Sequence, residues 1–301
     1  MTLTSGQGDG SVHAGACDTH VHVIGPPAQY PMTAQRQYTP DTASTTALQQ
    51  HLQRQGLQRV VVVQPSVYGF DNRCLCDALH TLGPASRGIA VCDPSVSNAE
   101  LQQLDACGVR GLRLNFESTH NHDAQALQHA LQTWAPRLAD LGWHVQVYAP
   151  FAATVACAAV IAQLPIPVVL DHVALWPVSA PDRQHSEAEH RLLALLKEGN
   201  IYIKLSASYR LPAWTSDALQ ALAHRLLHTR SDRLLWGSDW PHTNREPGVQ
   251  PHQVSRYRRI DAQHLIDERQ QWLNTPAWRQ AVLVDNPARL YRFETSPATS
   301  P

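Results

Sequence analysis

No apolar run in the 301-residue sequence approaches the roughly 18 residues that a membrane span requires. The first fifteen residues are polar and rich in Gly and Ser, without the basic start and apolar centre of a secretory signal. A cytoplasmic protein with no membrane partner is therefore expected. Basic stretches and acidic tails are also missing: Lys and Arg number 24, Asp and Glu 25, and the formal net charge is −1, so nucleic acid is not an expected partner. The six cysteines lack zinc-type spacing, and Cys74 and Cys76, two apart on a helical pattern, point away from each other. Buried free thiols, and no disulfide framework, are expected. Only Gly25-Pro26-Pro27 follows the first apolar run, where a dinucleotide fold would need Gly-x-Gly-x-x-Gly. No repeat of fixed solenoid period is found.

What the chain does have is a large apolar fraction, 43% against 16% charged, enough for one extensive core. Short apolar runs at 17–23, 59–64, 87–92, 109–115, 144–148, 167–172, 201–205 and 234–239 predict strands. Several are almost continuous Val, Ile and Leu, as parallel strands covered on both faces are. Amphipathic patterns at 44–55, 72–82, 98–107, 123–141, 152–164, 187–197 and 216–229 predict helices between them, punctuated by Gly56, Gly83, Gly108, Gly142 and Gly199. Eight strands alternating with helices predict an α/β fold, a (β/α)₈ TIM-like barrel over 16–294, with an open doubly wound sheet as the runner-up. Helices at 261–273 and 276–284 would close the barrel, and 241–259 reads as an active-site loop. Residues 1–15 and 295–301 are expected to be disordered tails.

The chemistry-bearing residues fall at predicted strand ends. His20 and His22 are alternate residues of the first strand and share one face. His172 ends the sixth strand, in Asp171-His172, and Asp239 ends the eighth, in Gly237-Ser238-Asp239-Trp240-Pro241-His242. A buried histidine satisfied by a carbonyl, or an aspartate forming a turn, accounts for any one of these alone. Together, at the end of a barrel where active sites form, they favour a shared site, because an apolar lumen would otherwise bury polar groups without compensation. Histidines on helical patterns, at 51, 80, 129, 190, 224 and 228, are expected to face solvent without a role. Trp176 and Trp240 are expected to pack in the core.

Asp18-Thr19-His20-Val21-His22, Asp171-His172, Gly237-Ser238-Asp239-Trp240-Pro241-His242 and Asp285-Asn286-Pro287-Ala288-Arg289-Leu290-Tyr291 resemble the amidohydrolase superfamily, and within it the 2-pyrone-4,6-dicarboxylate lactonase group. The resemblance runs through Val63-Gln64-Pro65-Ser66 and residues 110–116 and 143–148, and covers about 17–291. It implies a hydrolase opening a carboxylate-bearing lactone, with Asp239 as general base for a water and His20, His22 and His172 polarising the ring carbonyl. It also implies no obligatory metal, with a single zinc on His20, His22, His172 and Asp239 as the alternative. Metal-dependent relatives use a His at the fifth strand end, or a Lys or Glu at the fourth. Tyr148 and Asn115-Phe116-Glu117 stand there, so a bridged two-metal centre is not expected.

Arg113 and Arg210 match arginines that grip substrate carboxylates, which suits the bidentate guanidinium. Ser66, Tyr148 and Asn244 are candidates to bind the ring or its acids, and His242 could enter from the loop. Two arginines of the lactonase pattern are missing: Val173-Ala174-Leu175-Trp176-Pro177 and Ser118-Thr119-His120-Asn121-His122 stand where they would be. A lactone with fewer or differently placed acids is therefore expected, such as a muconolactone-like, sulfonated or aldaric-acid lactone. A lactone isomerase or a decarboxylase on the same barrel, or a non-catalytic ligand-binding barrel, are the alternatives. The sequence leaves open whether copies associate as a homo-oligomer.

Overall fold

Cys17–Val21 forms the first of eight parallel strands (β1) in the computed structural model, which describes residues 13–118, 123–178, 187–199 and 201–294. Arg59–Val63 (β2), Ser86–Ala90 (β3), Val109–Asn115 (β4), His144–Tyr148 (β5), Val168–Leu170 (β6), Ile201–Ser206 (β7) and Leu234–Gly237 (β8) follow, each paired in parallel with the one before. The ring closes between β8 and β1 through residues just past the strand end. Asp239 N–H donates to His20 O at 2.9 Å, and His22 N–H donates to Trp240 O at 2.8 Å. Gly237 permits this approach, because a Cβ there would stand 2.7 Å from His20 Cβ and 2.9 Å from its backbone nitrogen.

Thr45–Gln55 (α1), Arg73–Leu82 (α2), Asn98–Ala106 (α3), Ala124–Leu141 (α4), Phe151–Ala156 (α5), Ala158–Ile161 (α6), Glu187–Glu198 (α7), Ser216–Arg230 (α8), Ala262–Trp272 (α9), Pro276–Gln280 (α10) and Asn286–Tyr291 (α11) are the α-helices of the described residues. Their ends follow local chemistry. Ser44, Ser97, Asp123, Thr215 and Asp261 cap amides of the first turn, Ser97 in a reciprocal box with Glu100, and Gly56 ends α1 in the left-handed region. The helix expected over 152–164 is instead two short ones that meet at Cys157, whose ψ of 3° leaves the helical range. The last expected helix stops at Gln280, passes through the π turn Ala281–Asp285 and continues as α11.

Two apolar layers result. One lies between strands and helices; the other fills the lumen with Cys17, Val61, Ile89, Val169, Tyr202 and Leu235 and joins Ala288, Tyr291 and Phe293 of the C-terminal segment. Register carries this luminal face across the sheet, since Arg113 pairs with Gln146, Gln146 with Val169, and Val169 with Tyr202. The same parity points Arg113 and Gln146 inward, above the apolar floor. The expected sixth and eighth strands end early, at Leu170 and Gly237, because the chain turns left-handed there. His172 through Leu175 have φ of 47–56°, and Asp239 has φ 60°. Each non-glycine residue in that region costs about 1–2 kcal/mol, and such strain gathers at functional sites.

No described helix is long and apolar enough to cross a membrane. The expected tails lie outside the described residues except for 13–15, where Gly15 N–H donates to Gln58 Oε1. Among the thiols, Cys17, Cys74, Cys92 and Cys157 are buried, but Cys107, at the end of α3, is exposed.

Candidate active site

His20, His22, His172 and Asp239 meet at the C-terminal mouth of the barrel. The rings of His20 and His22 stand 5.1 Å apart edge to face, and those of His20 and His172 4.8 Å apart. Each imidazole has its Nδ1 turned to the protein. His22 Nδ1 lies 2.8 Å from Val63 O and His172 Nδ1 3.0 Å from Ser206 Oγ. His20 Nδ1 lies 3.3 Å from both Asp171 Oδ1 and Lys204 Nζ. The Nε2 atoms of His20 and His22 converge on one carboxylate oxygen, Asp239 Oδ1, at 3.6 and 3.5 Å. His20 Nε2 and Asp239 Oδ1 are buried and make no hydrogen bond among the described residues. Because Val63 O can only accept, Nδ1 of His22 carries a proton and donates to it, which turns Nε2 toward Asp239.

Under these groups lies a buried polar layer. The ammonium of Lys204, on β7, is fully out of solvent and donates to Thr19 O at 2.8 Å and Gln146 Oε1 at 2.7 Å. Asp171 accepts from Gln146 at 3.0 Å and stands 3.6 Å from Lys204 Nζ and 3.4 Å from Arg113 Nε. Burial pushes Lys204 down to about 8, with Asp171 opposing that fall. Burial opposes ionisation of Asp171, yet His20 and Lys204 beside it hold its carboxyl well below the usual range. His20 is drawn down to about 4, mainly by burial, against the pull of Asp171. It is therefore neutral at physiological pH.

Asp239 is held from the other side by residues after β7. The Tyr209 hydroxyl donates to Asp239 Oδ2 at 2.5 Å, and Arg210 reaches the same oxygen through Nε at 2.9 Å and Nη2 at 2.8 Å. Burial raises the cost of its charge, but Arg210 and His172 outweigh that and hold the carboxyl well below the usual range.

Above lies a cavity of about 180 Å³ lined by His22, Tyr38, Pro65, Ser66, Arg113, Glu117, Ser118, Tyr148, His172, Arg210, Thr243, Asn244, Arg245 and Arg258. Of the residues named from the sequence, Ser66, Arg113, Tyr148, Arg210 and Asn244 thus line it. His20 and Asp239 lie beneath its floor, with no exposed surface. His242 is not on its wall: the ring is buried behind Tyr209, edge to face at 6.0 Å, and burial draws it down to about 4. Trp176 and Trp240 are likewise absent from the lining.

The profile of the amidohydrolase family matches residues 17–293. The chain belongs to this family. A 2-pyrone-4,6-dicarboxylate hydrolase of Comamonas testosteroni is 36% identical over 292 residues, covering 92% of this chain and 90% of that protein. A 4-sulfomuconolactone hydrolase of Rhizobium radiobacter is 32% identical over 287 residues, covering 93% and 91%. The crystal structure of a probable 2-pyrone-4,6-dicarboxylic acid hydrolase from Acinetobacter baumannii, with citric acid bound, superposes with a TM-score of 0.77 at 26% identity, covering 93% of this chain and all of that one.

In this amidohydrolase, one divalent ion fits the donor set. His20, His172 and Asp239 each offer a ligand atom, all within 4.8 Å of one another, and two of the buried donors are otherwise unpartnered among the described residues. His22, counted from the sequence as a fourth ligand, falls outside that group. Sequence reading missed Lys204, Gln146, Tyr209, Tyr38, Arg245 and Arg258. Lys204 had left a signal: a lone lysine inside Ile201-Tyr202-Ile203-Lys204-Leu205 shares the luminal parity of Tyr202. A further expectation is corrected. His51 does not face solvent; it is buried, 3.6 Å from Asp18 Oδ2 and stacked on Trp240 at 5.8 Å, which steadies the turn carrying Asp239.

Proposed function

We propose that this amidohydrolase hydrolyses a carboxylate-bearing lactone by attack of an Asp239-bound water on the ring carbonyl. The observation that carries the reading is Asp239 Oδ1, which faces His20 Nε2 and His22 Nε2 at 3.5–3.6 Å while Oδ2 is fixed by Tyr209 and Arg210. These separations are too long for direct hydrogen bonds and short enough for one oxygen atom to bond to several of the groups at once. Asp239 Oδ1 accepts the proton of the attacking water as its oxygen bonds to the ring carbonyl carbon, and gives that proton to the ring oxygen as the acyl C–O bond breaks, leaving a hydroxy acid. Its low proton affinity keeps it ionised at neutral pH, and the neighbouring histidines orient the water and the carbonyl.

Arg113, packed over the Tyr148 ring at 5.3 Å with its Nε turned to Asp171, presents the rest of its guanidinium to the cavity for a substrate carboxylate. Ser66, Tyr148 and Asn244 supply hydrogen bonds to the ring. A single divalent ion held by His20, His172 and Asp239 would, when bound, act as a Lewis acid toward carbonyl and water. The names and extent of the relatives support the lactone reading.

The test is Asp239→Asn on a panel of carboxylated lactones, followed by product mass. Turnover is expected to fall by about 10²–10⁴-fold while ligand binding persists, and the wild-type product is expected to gain one water. An unchanged rate, or a product of unchanged mass, sinks the mechanism.

A further inference from the structure

We propose that Cys76 and Cys107 form a reversible oxidation site, at which a hydroperoxide converts the two thiols into a disulfide joining α2 to the end of α3. The inference is independent of the lactone reading and concerns a different face of the barrel.

A second cavity, of about 640 Å³, lies on the flank of the barrel against α2 and α3 and shares no lining residue with the catalytic one. Three of the six cysteines, Cys76, Cys92 and Cys107, line it. Cys74 and Cys76, two apart on α2, divide between different faces of the helix. Cys74 is buried, with its thiol directed at Val23 O at 3.8 Å, whereas Cys76 is half-buried on the cavity wall.

Packing brings the second thiol to the first. Leu79 stands one turn from Cys76 on the same side of α2. Its Cδ1 lies 3.9 Å from where a Cβ on Gly108 would stand, so the residue after Cys107 abuts this side of the helix. The thiols of Cys76 and Cys107 are hydrogen-bonded to each other.

The two sulfurs differ in a way that assigns their roles. Cys107 is exposed, so an oxidant in solvent reaches it first. Burial, reinforced by Cys107 and Asp77, pushes Cys76 up to about 12, so that thiol keeps its proton until its sulfur is drawn into a bond. In the first step the Cys107 sulfur attacks one peroxide oxygen and the O–O bond breaks. Sulfur is oxidised by two electrons to the sulfenic acid, and the other oxygen leaves with a proton as water or an alcohol. In the second step the Cys76 sulfur attacks the Cys107 sulfur. The S–O bond breaks, and the hydroxyl leaves as water with the Cys76 proton. A thiol reductant then regenerates both thiols. Transient pairs of this kind are the usual form of disulfide where thiols are otherwise kept reduced.

Intact-mass spectrometry and peptide mapping of the folded protein, after brief treatment with hydrogen peroxide and then alkylation, test this. Wild type is expected to lose two hydrogen atoms, leave the other four thiols free, and yield peptides joined through Cys76 and Cys107 that dithiothreitol releases. Neither residue is buried, so Cys76→Ser and Cys107→Ser are both expected to fold. In Cys76→Ser, dimedone labelling of Cys107 should rise about tenfold, because a neighbouring thiol outcompetes a trap in free solution. In Cys107→Ser, Cys76 should stay unoxidised. Six free thiols in treated wild type, a link through Cys92, or a Cys107–Cys107 link between two molecules overturns the proposal. Unchanged labelling in Cys76→Ser, or oxidation of Cys76 in Cys107→Ser, overturns the assigned roles and the proposal with them.

Discussion

Arg210 Nη2 stands 2.8 Å from Asp239 Oδ2, and Tyr209 donates its hydroxyl to that same oxygen. One oxygen of the proposed base is thus immobilised while the other is turned to the histidines. The cation also decides the pH range of the base. Burial alone would push the Asp239 carboxyl up; Arg210, with His172, holds it well below the usual value. The ionised form is therefore complete above the ordinary aspartate range near about pH 4 and is lost only as pH falls further. In Arg210→Gln, burial dominates, and the acid limb of log kcat/KM against pH is expected to move up by about one unit or more. A limb that stays in place would show that Arg210 does not govern the base.

The same pairing bears on metal dependence. The charge of Asp239 is already compensated by Arg210, so an ion at Oδ1 competes with a fixed internal cation. Lactone hydrolysis is expected to persist after dialysis against a chelator, with metal content checked by elemental analysis. Activity that disappears with the chelator and returns with zinc would make His20, His172 and Asp239 an obligatory metal site.

Lys204 neutralises Asp171 and supplies donors to Thr19 O and Gln146 Oε1, all without access to water. Lys204→Met strips these acceptors of their donor and leaves Asp171 to Arg113 and His20. A loss of about 3 kcal/mol is expected in urea unfolding, within the range for breaking one side of a buried ion pair. A variant as stable as wild type would show that the ammonium contributes little beyond its own desolvation.

Gly237→Ala places a methyl group 2.7 Å from His20 Cβ and 2.9 Å from its backbone nitrogen. The obstacle is backbone as much as side chain, so β8 must separate from β1. Destabilisation of about 3 kcal/mol, at the upper end of overpacking costs, is expected. Turnover should also fall, because the displaced hydrogen bond from Asp239 N–H to His20 O positions both residues. Wild-type thermal stability in this variant would contradict the closure described.

Local periodicity carried much of the reading from the sequence. The eight strands lie where runs of Val, Ile and Leu lie, and the helices begin at Ser, Thr and Asp caps, because both patterns are properties of neighbouring residues. His20, His22, His172 and Asp239 were legible for the same reason: each ends an apolar strand, and parallel strands of a barrel deliver their ends to one mouth. Burial of His51 was not legible, since its helix reads as amphipathic and its partner Asp18 lies 33 positions away in a strand whose register shifts between Asp18 and Val21.

The sequence by itself determined the alternation of strands and helices, the family motifs and the set of groups available for chemistry. Only the tertiary structure decided which cation meets which carboxylate. Arg210 goes to Asp239, Lys204 and Arg113 go to Asp171, and Arg258 is left facing the cavity. Periodicity sets the face on which a side chain stands, but ion pairing depends on distances of a few ångströms between loops and strands far apart in the chain. Those distances exist only once the barrel has closed.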